Sequence, residues 1–455
     1  MLSRRNLLAL PFAAPLIAQP SRRLNVLLIA VDDLNNRLGC YGDPVARTPN
    51  IDRLAGRGVR FDHSYCQYPL CNPSRTSLLS GRRPDTTRIH DNRTAPRTFL
   101  GDVAFLPEHF RAHGYFTGRV GKVAHAAFED AVTWDVSENA QRTAPLELKQ
   151  QRAARPPGEA LKLEWVPTGN RDEDEPDGRT ARRVAQLIDQ KRDKPFFLAA
   201  GFHKPHLPWV APKKYFDMYP PEKIVLPATP PDDRDDIPPI ALTRTAGDEQ
   251  MTDLDRRKAI AAYHACTTFM DAQVGVLLGA LDRLKLWEST VVLLFGDHGW
   301  HLYDHLGLWR KMTVFEEAAR APLIVAAPGR RRGVGCPRLV EFVDIYPTLS
   351  ELCGLPRPGG LEGTSFAPLL SDPQRPWKKA AFTVVARALG VMGRSVRTDR
   401  YRYTEWDDDG KVAEIYDHEK DIHEFRNLAG DPKQAELRRI LREGWRAALP
   451  PGVNP

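Results

Sequence analysis

Acidic side chains follow two apolar segments of the sequence, at the point where each segment ends. Asp32-Asp33 closes the first segment, and Asp297-His298 comes directly after the second. Adjacent carboxylates repel one another, so a buried pair needs a cation nearby. Together the four side chains predict a site for a hard divalent cation, Ca2+ or alternatively Mg2+, because carboxylates outnumber the imidazole. Each pair taken alone also fits a helix N-cap or a solvated turn.

These pairs need elements that bring them together, and the apolar segments predict such elements. Continuous apolar runs of this length are typical of strands buried on both faces of a parallel sheet. The predicted strands cover residues 24–31, 195–200, 290–295 and 322–327, and the predicted helices cover residues 50–57, 105–113, 179–191 and 256–284. This alternation indicates an α/β domain. Three of the four strands end in Asp or His, and ligands collect at the carboxyl ends of such strands.

The remaining chain contains two insertions and a C-terminal region of different character. Residues 144–178 are polar and predict a surface insertion, and residues 225–249 are rich in Pro and Asp and predict a long loop. Short exposed strands are predicted at residues 381–386, 395–397, 400–406 and 414–416, and an amphipathic helix at 437–448. We therefore divide the chain into an N-terminal segment 1–20, a large α/β domain 24–374 and an antiparallel-sheet subdomain 375–455.

The bulk composition is that of a folded globular protein and argues against several classes. The 455 residues carry a formal net charge of +7, but Lys and Arg are spread along the chain, without the basic block of a nucleic-acid-binding arm. The charge fits an anionic small substrate, a polysaccharide or simply a solvated surface. None of the six cysteines forms a CxxC pair, so a zinc ribbon is not expected. A Cys336–Cys353 disulfide and free buried thiols both stay open.

The N-terminus has the pattern of an export signal. Arg4-Arg5 precedes a short apolar run that reaches Ala18, contains two prolines and is too short to span a membrane. Because paired arginines favour twin-arginine export, residues 1–20 are predicted to be the signal peptide of a periplasmic or secreted protein. An ordinary apolar N-terminal arm is the alternative. No other stretch of the sequence predicts a transmembrane anchor.

One short motif resembles a known family. The run Cys71-Asn72-Pro73-Ser74-Arg75 is similar to the Cys-x-Pro-x-Arg motif of the formylglycine-dependent sulfatases, which belong to the alkaline-phosphatase-like superfamily. Further segments that resemble the family, in the same order, are residues 32–33, 79–86, 121–125, 203–208, 297–298, 307–311, 342–349, 361–365 and 415–428. The runs at 81–87 and 203–206 resemble its iduronate-2-sulfatase-like branch. Each motif alone is weak evidence for the family, and the resemblance rests on their joint presence in the same order.

The resemblance implies an α/β/α sandwich around a large, mostly parallel sheet, with a small C-terminal antiparallel sheet. It also implies that a formylglycine-generating enzyme oxidises Cys71 to Cα-formylglycine. One hydroxyl of the hydrated aldehyde would attack sulfur, and the other would then help to expel sulfate. The implied metal ligands are Asp32, Asp33, the modified Cys71, Asp297 and His298.

Roles for further residues follow from the same resemblance. Arg75 is expected to hold the nucleophile, and Lys122 and Lys311 to contact sulfate oxygens. His125 is the expected base for sulfate elimination, and His206 would contact sulfate or protonate the leaving alcohol. Residues expected to contact the rest of the substrate are His203, Lys204, Arg88, His90, Arg93 and Trp209.

One departure from the family concerns the last lysine. Relatives commonly have a bare Gly beside the preceding His, whereas this chain has Leu306-Gly307-Leu308. Arg310 is therefore the alternative to Lys311.

The substrates implied by the resemblance are sulfated carbohydrates, such as glycosaminoglycan fragments, or other sulfate esters. A phosphodiesterase or phosphonate monoester hydrolase on the same fold is one alternative, because sulfate and phosphate esters have similar shape and charge. A non-catalytic anion-binding relative is the other.

Overall fold

The three apolar runs that end in Asp or His form neighbouring parallel strands in the middle of one large sheet. The structure, a computed structural model, describes residues 23–140, 144–154, 163–243, 245–406 and 410–447. The strands are β1 Asn25–Val31, β2 Val59–Tyr65, β3 Phe116–Gly121, β4 Val136–Glu138, β5 Trp165–Thr168, β6 Phe196–Phe202, β7 Trp209–Pro212, β8 Thr290–Gly296, β9 His301–Asp304, β10 Leu308–Arg310, β11 Leu323–Ala326, β12 Val334–Glu341, β13 Ala380–Ala386, β14 Met392–Thr398, β15 Tyr401–Glu405 and β16 Ala413–Asp417. The α-helices are α1 Pro49–Arg57, α2 Cys71–Ser80, α3 Pro84–Thr87, α4 Arg97–Leu100, α5 Leu106–Ala112, α6 Leu146–Ala153, α7 Pro176–Lys191, α8 Lys213–Phe216, α9 Ala246–Glu249, α10 Asp253–Arg283, α11 Glu316–Ala319, α12 Ile345–Leu352 and α13 Ala435–Ala447.

The large sheet has eight strands in the order β12-β2-β11-β8-β1-β6-β3-β4. Strand β1 lies between β6 and β8 and is parallel to both. Strand β11 is the exception, because it runs antiparallel to β8 and β2. The mostly parallel sheet is therefore confirmed, but the prediction that residues 322–327 add a parallel strand is wrong. Parallel neighbours are usually joined by a helix that crosses the sheet, whereas the segment 297–322 between β8 and β11 contains only the β9–β10 hairpin and the four-residue helix α11.

Helices cover both faces of this sheet. Val26 and Leu28 of β1 point into a core shared with α2, α5 and α12. Leu27 and Ile29 point the other way, into a core shared with α1, α7 and α10. Burial on both faces explains why these strands are continuously apolar. The result is the predicted α/β/α sandwich.

A second, antiparallel sheet of four strands, in the order β13-β14-β15-β16, follows near the C-terminus. Val396 and Ile415 form its small core, against which Leu437 of α13 packs. This sheet confirms the predicted small antiparallel unit, and the boundary after residue 374 stays a prediction. The ammonium of Lys378, just before β13, donates to Glu341 of β12 at 2.7 Å and so connects the two sheets.

Some elements differ from the sequence-based expectations. The predicted helices are present as α1, α5, α7 and α10. The region 144–178 is more ordered than expected, because it contains α6, β5 and the first residues of α7. Strands β2, β3 and β12 were not predicted, because polar side chains break their apolar runs, as in VRFDHSY of β2.

All six cysteines are free thiols in the structure, so the disulfide alternative is not supported. The sulfur of Cys336 lies 3.5 Å from the Pro373 carbonyl oxygen, and that of Cys353 lies 3.7 Å from the Leu24 carbonyl oxygen. Across the described ranges, none of the helices has the length and apolar character needed to cross a membrane. The predicted signal peptide, residues 1–20, lies outside the described residues.

Candidate active site

The sheet places three of the predicted site residues side by side. Val31, the last residue of β1, is in register with the last residues of β6 and β8. The next residues along the three strands are Asp32, His203 and Asp297, so all three emerge at the same edge. The amide of Asp297 also donates to the carbonyl of Val31 at 3.0 Å.

Three carboxylates and one imidazole converge at this edge. The side chains of Asp32, Asp33, Asp297 and His298 are all completely buried. Nε2 of His298 lies 3.4 Å from Oδ1 of Asp33 and 3.6 Å from Oδ1 of Asp297. Oδ2 of Asp33 is buried without a hydrogen-bond partner among the described residues, which is unusual for a buried polar atom unless a ligand is expected there. These donors fit a hard divalent cation.

Cys71 begins helix α2 with its thiol at the centre of the site. Its Sγ lies 3.3 Å from Oδ1 of Asp32 and 3.1 Å from Nζ of Lys311. Burial and the Asp32 carboxylate raise the pKa of the thiol. The ammonium groups of Lys122 and Lys311, together with His125, outweigh them and hold this pKa well below its ordinary value. The position therefore favours a negatively charged group.

Arg75, one helical turn after Cys71, connects the carboxylates to a neighbouring loop. Its Nε donates to Oδ2 of Asp297 at 2.8 Å, and Nη2 lies 3.4 Å from Oδ1 of Asp32. Its Nη1 donates to the carbonyl of Lys122 at 2.7 Å. The guanidinium thus orients the carboxylates and the chain after β3, and its expected contact with the nucleophile stays a prediction.

Two lysines reach the carboxylates beside Cys71. Nζ of Lys122 lies 2.5 Å from Oδ2 of Asp32, and Nζ of Lys311 lies 2.5 Å from Oδ1 of Asp33. Burial lowers the pKa of both ammonium groups, but the nearby carboxylates raise it by more, so both stay charged. Two fixed positive charges next to residue 71 are suited to bind the oxygens of a tetrahedral anion.

The histidines of the predicted site lie around the same carboxylates. Nδ1 of His203 is 3.5 Å from Oδ2 of Asp32, and Nε2 of His206 is 3.8 Å from Oδ2 of Asp33. The His206 side chain is 29% exposed, so a bound molecule can reach it. A set of ligand-type atoms within 4.8 Å of one another comes from Asp32, Asp33, Cys71 and His206. His206 therefore borders the cation site as well as the predicted sulfate site.

Two predicted substrate contacts are internal in the structure. Trp209 is 0% exposed, and its indole N–H donates to the carbonyl of Pro205 at 2.7 Å. The structure does not support the prediction that Trp209 binds substrate, because its ring packs against Tyr263 and Trp300 in the core. Lys204 is also buried, and its ammonium donates to the carbonyls of His206 and Pro208. This lysine holds the turn together instead of pointing at a ligand.

The other predicted contacts lie on the chain after α3. Arg88 is exposed, with its guanidinium 6.0 Å from the ring of Phe99. His90 stacks on Tyr68 with ring centroids 6.0 Å apart, and Arg93 is exposed. Substrate contacts by these residues stay a prediction.

Two buried carboxylates that the sequence analysis missed hold the histidine-bearing loops. Glu129 accepts hydrogen bonds from the amides of residues 123–124 at 2.9 and 3.0 Å. Asp177 accepts hydrogen bonds from the amides of residues 203–204 at 2.9 and 2.8 Å. Neither has a sequence signal, because a lone acid in a polar stretch belongs to no motif. Only the fold shows that each fixes two consecutive amides of a site loop.

Family models and relatives agree with this geometry. The family model described as Sulfatase matches residues 24–355, and the one described as N-sulphoglucosamine sulphohydrolase, C-terminal, matches residues 296–448. Human (Homo sapiens) iduronate 2-sulfatase is 32% identical over an alignment of 515 residues, which covers 92% of this chain and 93% of the human protein.

Solved structures share the architecture. The crystal structure of the phosphonate monoester hydrolase of Agrobacterium radiobacter superposes with a TM-score of 0.78 at 22% identity, covering 93% of this chain and 96% of that chain. A structure described as a 2-O GAG sulfatase superposes with a TM-score of 0.75 at 25% identity, covering 93% and 92%. Fold and site together define an alkaline-phosphatase-like hydrolase. Within that class, this chain belongs to the sulfatase family, whose members hydrolyse sulfate esters.

Proposed function

We propose that this protein hydrolyses sulfate esters of sugars, with residue 71 as the position of the nucleophile. The observation that carries the proposal is the convergence of one buried lysine, one partly buried lysine and four ligand side chains on Cys71. A sulfate group placed against residue 71 meets the ammonium groups of Lys122 and Lys311. These charges stabilise the sulfate oxygens as negative charge grows on them in the transition state.

Cys71 is proposed to be a precursor, which a formylglycine-generating enzyme converts to Cα-formylglycine. When present, the hydrated aldehyde supplies one hydroxyl for attack on sulfur and a second whose deprotonation releases sulfate. A serine at this position would lack the second hydroxyl. The low pKa of the Cys71 side chain supports the proposal, because the same surroundings favour an ionised hydroxyl.

The histidines supply the proton transfers in this proposal. His125 helps to lower the pKa of the Cys71 side chain, and we assign to it the removal of a proton from the group at that position. His206 has a solvent-exposed edge and lies 3.8 Å from Asp33, so it is placed to protonate the departing alcohol. His203, beside Asp32, is proposed to line the substrate pocket.

A divalent cation is proposed to bind Asp32, Asp33, Asp297 and His298. Such a cation lowers the pKa of a hydroxyl that it polarises and neutralises charge on the reacting group. The excess of carboxylates favours Ca2+ over Zn2+, with Mg2+ as the alternative. Arg75 keeps two of these carboxylates in place.

The relatives support a sugar substrate. The human relative is named iduronate 2-sulfatase, and the neighbouring structure is described as a 2-O GAG sulfatase. We extend this substrate class to the present chain, as a sulfated carbohydrate such as a glycosaminoglycan fragment. Activity on a panel of defined sulfated saccharides tests it, and activity confined to non-sugar sulfate esters would contradict it.

The alternative reaction is phosphodiester or phosphonate monoester hydrolysis, which the likeness to a phosphonate monoester hydrolase favours. The discriminating measurement is kcat/KM for an aryl sulfate and for the matching aryl phosphodiester. We expect the sulfate to be preferred by about 10-fold or more. A preference for the phosphodiester would assign the alternative function.

Asp177→Asn is expected to lower kcat for an aryl sulfate by about 10-fold. Asparagine offers one oxygen to two amide donors, so one amide of residues 203–204 loses its partner and the loop that bears His203 and His206 shifts. Steady-state kinetics measures the effect. Asp189→Asn is the control, because Asp189 lies on the same helix and pairs with exposed Arg192. Equal kcat values for both variants would refute this role of Asp177.

Export to the periplasm is proposed from the N-terminal sequence, in which Arg4-Arg5 precedes a short apolar run. Replacing Arg4 and Arg5 with Lys is expected to abolish most export, because the paired arginines identify the twin-arginine route. Cell fractionation and immunoblotting measure the exported fraction. An unchanged periplasmic fraction in the double variant would argue for another route.

A further inference from the structure

Lys311 lies within a stretch of backbone with unusual conformation. Among the described residues, ten non-glycine residues have a positive φ, and five of them lie between residues 303 and 312. They are Tyr303, His305, Leu306, Arg310 and Met312, with φ of 72°, 47°, 52°, 72° and 73°. Side chains with a Cβ rarely adopt this region, and it persists only where the surrounding structure enforces it.

The hairpin formed by β9 and β10 has little pairing of its own to enforce this conformation. Its strands are joined by three residue pairs, with a register shift in the middle. A two-stranded ribbon of this size is marginal when isolated. The position of Lys311, which directly follows β10, therefore depends on contacts from outside the hairpin.

Two buried aspartates from the segment 225–249 provide such contacts. Asp248 is 4% exposed and accepts two hydrogen bonds from Arg310, from Nε at 2.8 Å and from Nη2 at 3.1 Å. Asp233 is 1% exposed, and both its oxygens lie 3.2 Å from Nδ1 of His305. One aspartate thus holds the residue before Lys311, and the other holds the turn of the hairpin.

The bidentate contact at Arg310 has a direct geometric consequence for the next residue. Planar guanidinium–carboxylate pairs fix orientation as well as distance. Fixing the side chain of Arg310 at φ 72° fixes the chain direction from which Lys311 leaves. The ammonium of Lys311 then reaches 3.1 Å from the sulfur of Cys71.

We propose that Asp248 and Asp233 are positioning residues for Lys311, and that the Pro- and Asp-rich segment 225–249 serves to hold the hairpin against the active site. This inference rests on the proposed function, because Lys311 is assigned there to the sulfate oxygens. A charged group displaced by about 1 Å loses up to 100-fold in rate. Neither aspartate touches the reacting atoms, so both act through Lys311.

The test is a double-mutant cycle with Asp248→Asn and Lys311→Met. Asp248→Asn alone is expected to lower kcat for an aryl sulfate by about 10- to 100-fold. In the Lys311→Met background the same change is expected to have almost no effect, because its target is absent. Equal losses in both backgrounds would mean a general structural role and would overturn the proposal.

Amide hydrogen exchange is a second measurement, and it does not depend on catalytic activity. Asp248→Asn is expected to speed amide exchange in residues 303–312 and to leave β6 unchanged. Unaltered exchange in the hairpin would also overturn the proposal. If the wild type turned over no sulfate ester, the proposed function would fail, whereas this measurement would still test the contact itself.

Glu138→Gln is the matched control for the ion pair. Glu138 accepts two hydrogen bonds from Arg183, both at 2.8 Å, on the edge strand β4. We expect its loss to leave kcat and exchange in residues 303–312 unchanged. A comparable loss of kcat in Glu138→Gln would show that breaking any such pair suffices and would overturn the specific role of Asp248.

Discussion

Cys71→Ala is expected to reduce kcat for sulfate esters by more than about ten-thousand-fold. The change removes the position of the nucleophile and leaves only the charges around it. Because one buried sulfur is lost, we expect the melting temperature to fall by a few degrees at most. Steady-state kinetics and thermal denaturation measure the two effects, and substantial retained turnover would refute the role of Cys71.

Cys66→Ala is the matched control for this experiment. Cys66 is 0% exposed, and its sulfur lies 3.9 Å from the carbonyl oxygen of Ala318, so its removal affects packing alone. We expect stability to fall as in Cys71→Ala and kcat to stay unchanged.

Mass spectrometry of the peptide that contains Cys71 tests whether this residue is converted to formylglycine. A fully active preparation with an unmodified thiol would exclude formylglycine, and a wild type with neither turnover nor modification would favour the anion-binding alternative.

Asp33→Asn is expected to lower kcat by about 1,000-fold and to abolish stabilisation by Ca2+. Oδ2 of Asp33 is buried without a hydrogen-bond partner among the described residues, and the carboxylate charge is what a hard cation requires. In the wild type, Ca2+ at 100 times its Kd is expected to stabilise the fold by about 2.7 kcal/mol. Thermal denaturation after chelation, followed by titration with Ca2+ or Mg2+, measures this effect.

A second group of ligand-type atoms supplies the control. Glu316, His418 and Glu424 also lie close together, but the guanidinium of Arg402 pairs with both carboxylates. We therefore expect His418→Gln to keep the stabilisation by Ca2+. Equal stabilisation of Asp33→Asn and the wild type would place the cation elsewhere.

The sheet and the strand ends could be predicted because their physics is local in sequence. Burial on both faces makes β1, β6 and β8 continuously apolar. The residues that follow these strands must emerge at one edge, so the sequence alone groups Asp32, His203 and Asp297. The order of the motifs then extended the site to Cys71.

Other features depend on contacts between distant parts of the chain. The antiparallel direction of β11 depends on the path of the chain through the preceding β9–β10 hairpin. The apolar pattern of a strand does not indicate that path. Trp209 beside a histidine motif suggested a sugar contact, but the fold turns its ring into the core. Asp177 and Asp248 could not be identified from the sequence because their partners are distant in the chain. Asp177 accepts from a backbone amide 26 residues away, and Asp248 accepts from an arginine 62 residues away.

The burial of α2 has a consequence for how the enzyme is made. All ten residues of this helix are buried, and Cys71 is only 1% exposed. On the proposed conversion of Cys71, no maturation enzyme can reach its sulfur once the chain has folded. Oxidation and folding therefore compete kinetically. Each molecule then keeps residue 71 either modified or unmodified for its lifetime. Specific activity then reports the fraction of chains that were modified in time, so slower folding or more maturation enzyme raises it without any change in sequence.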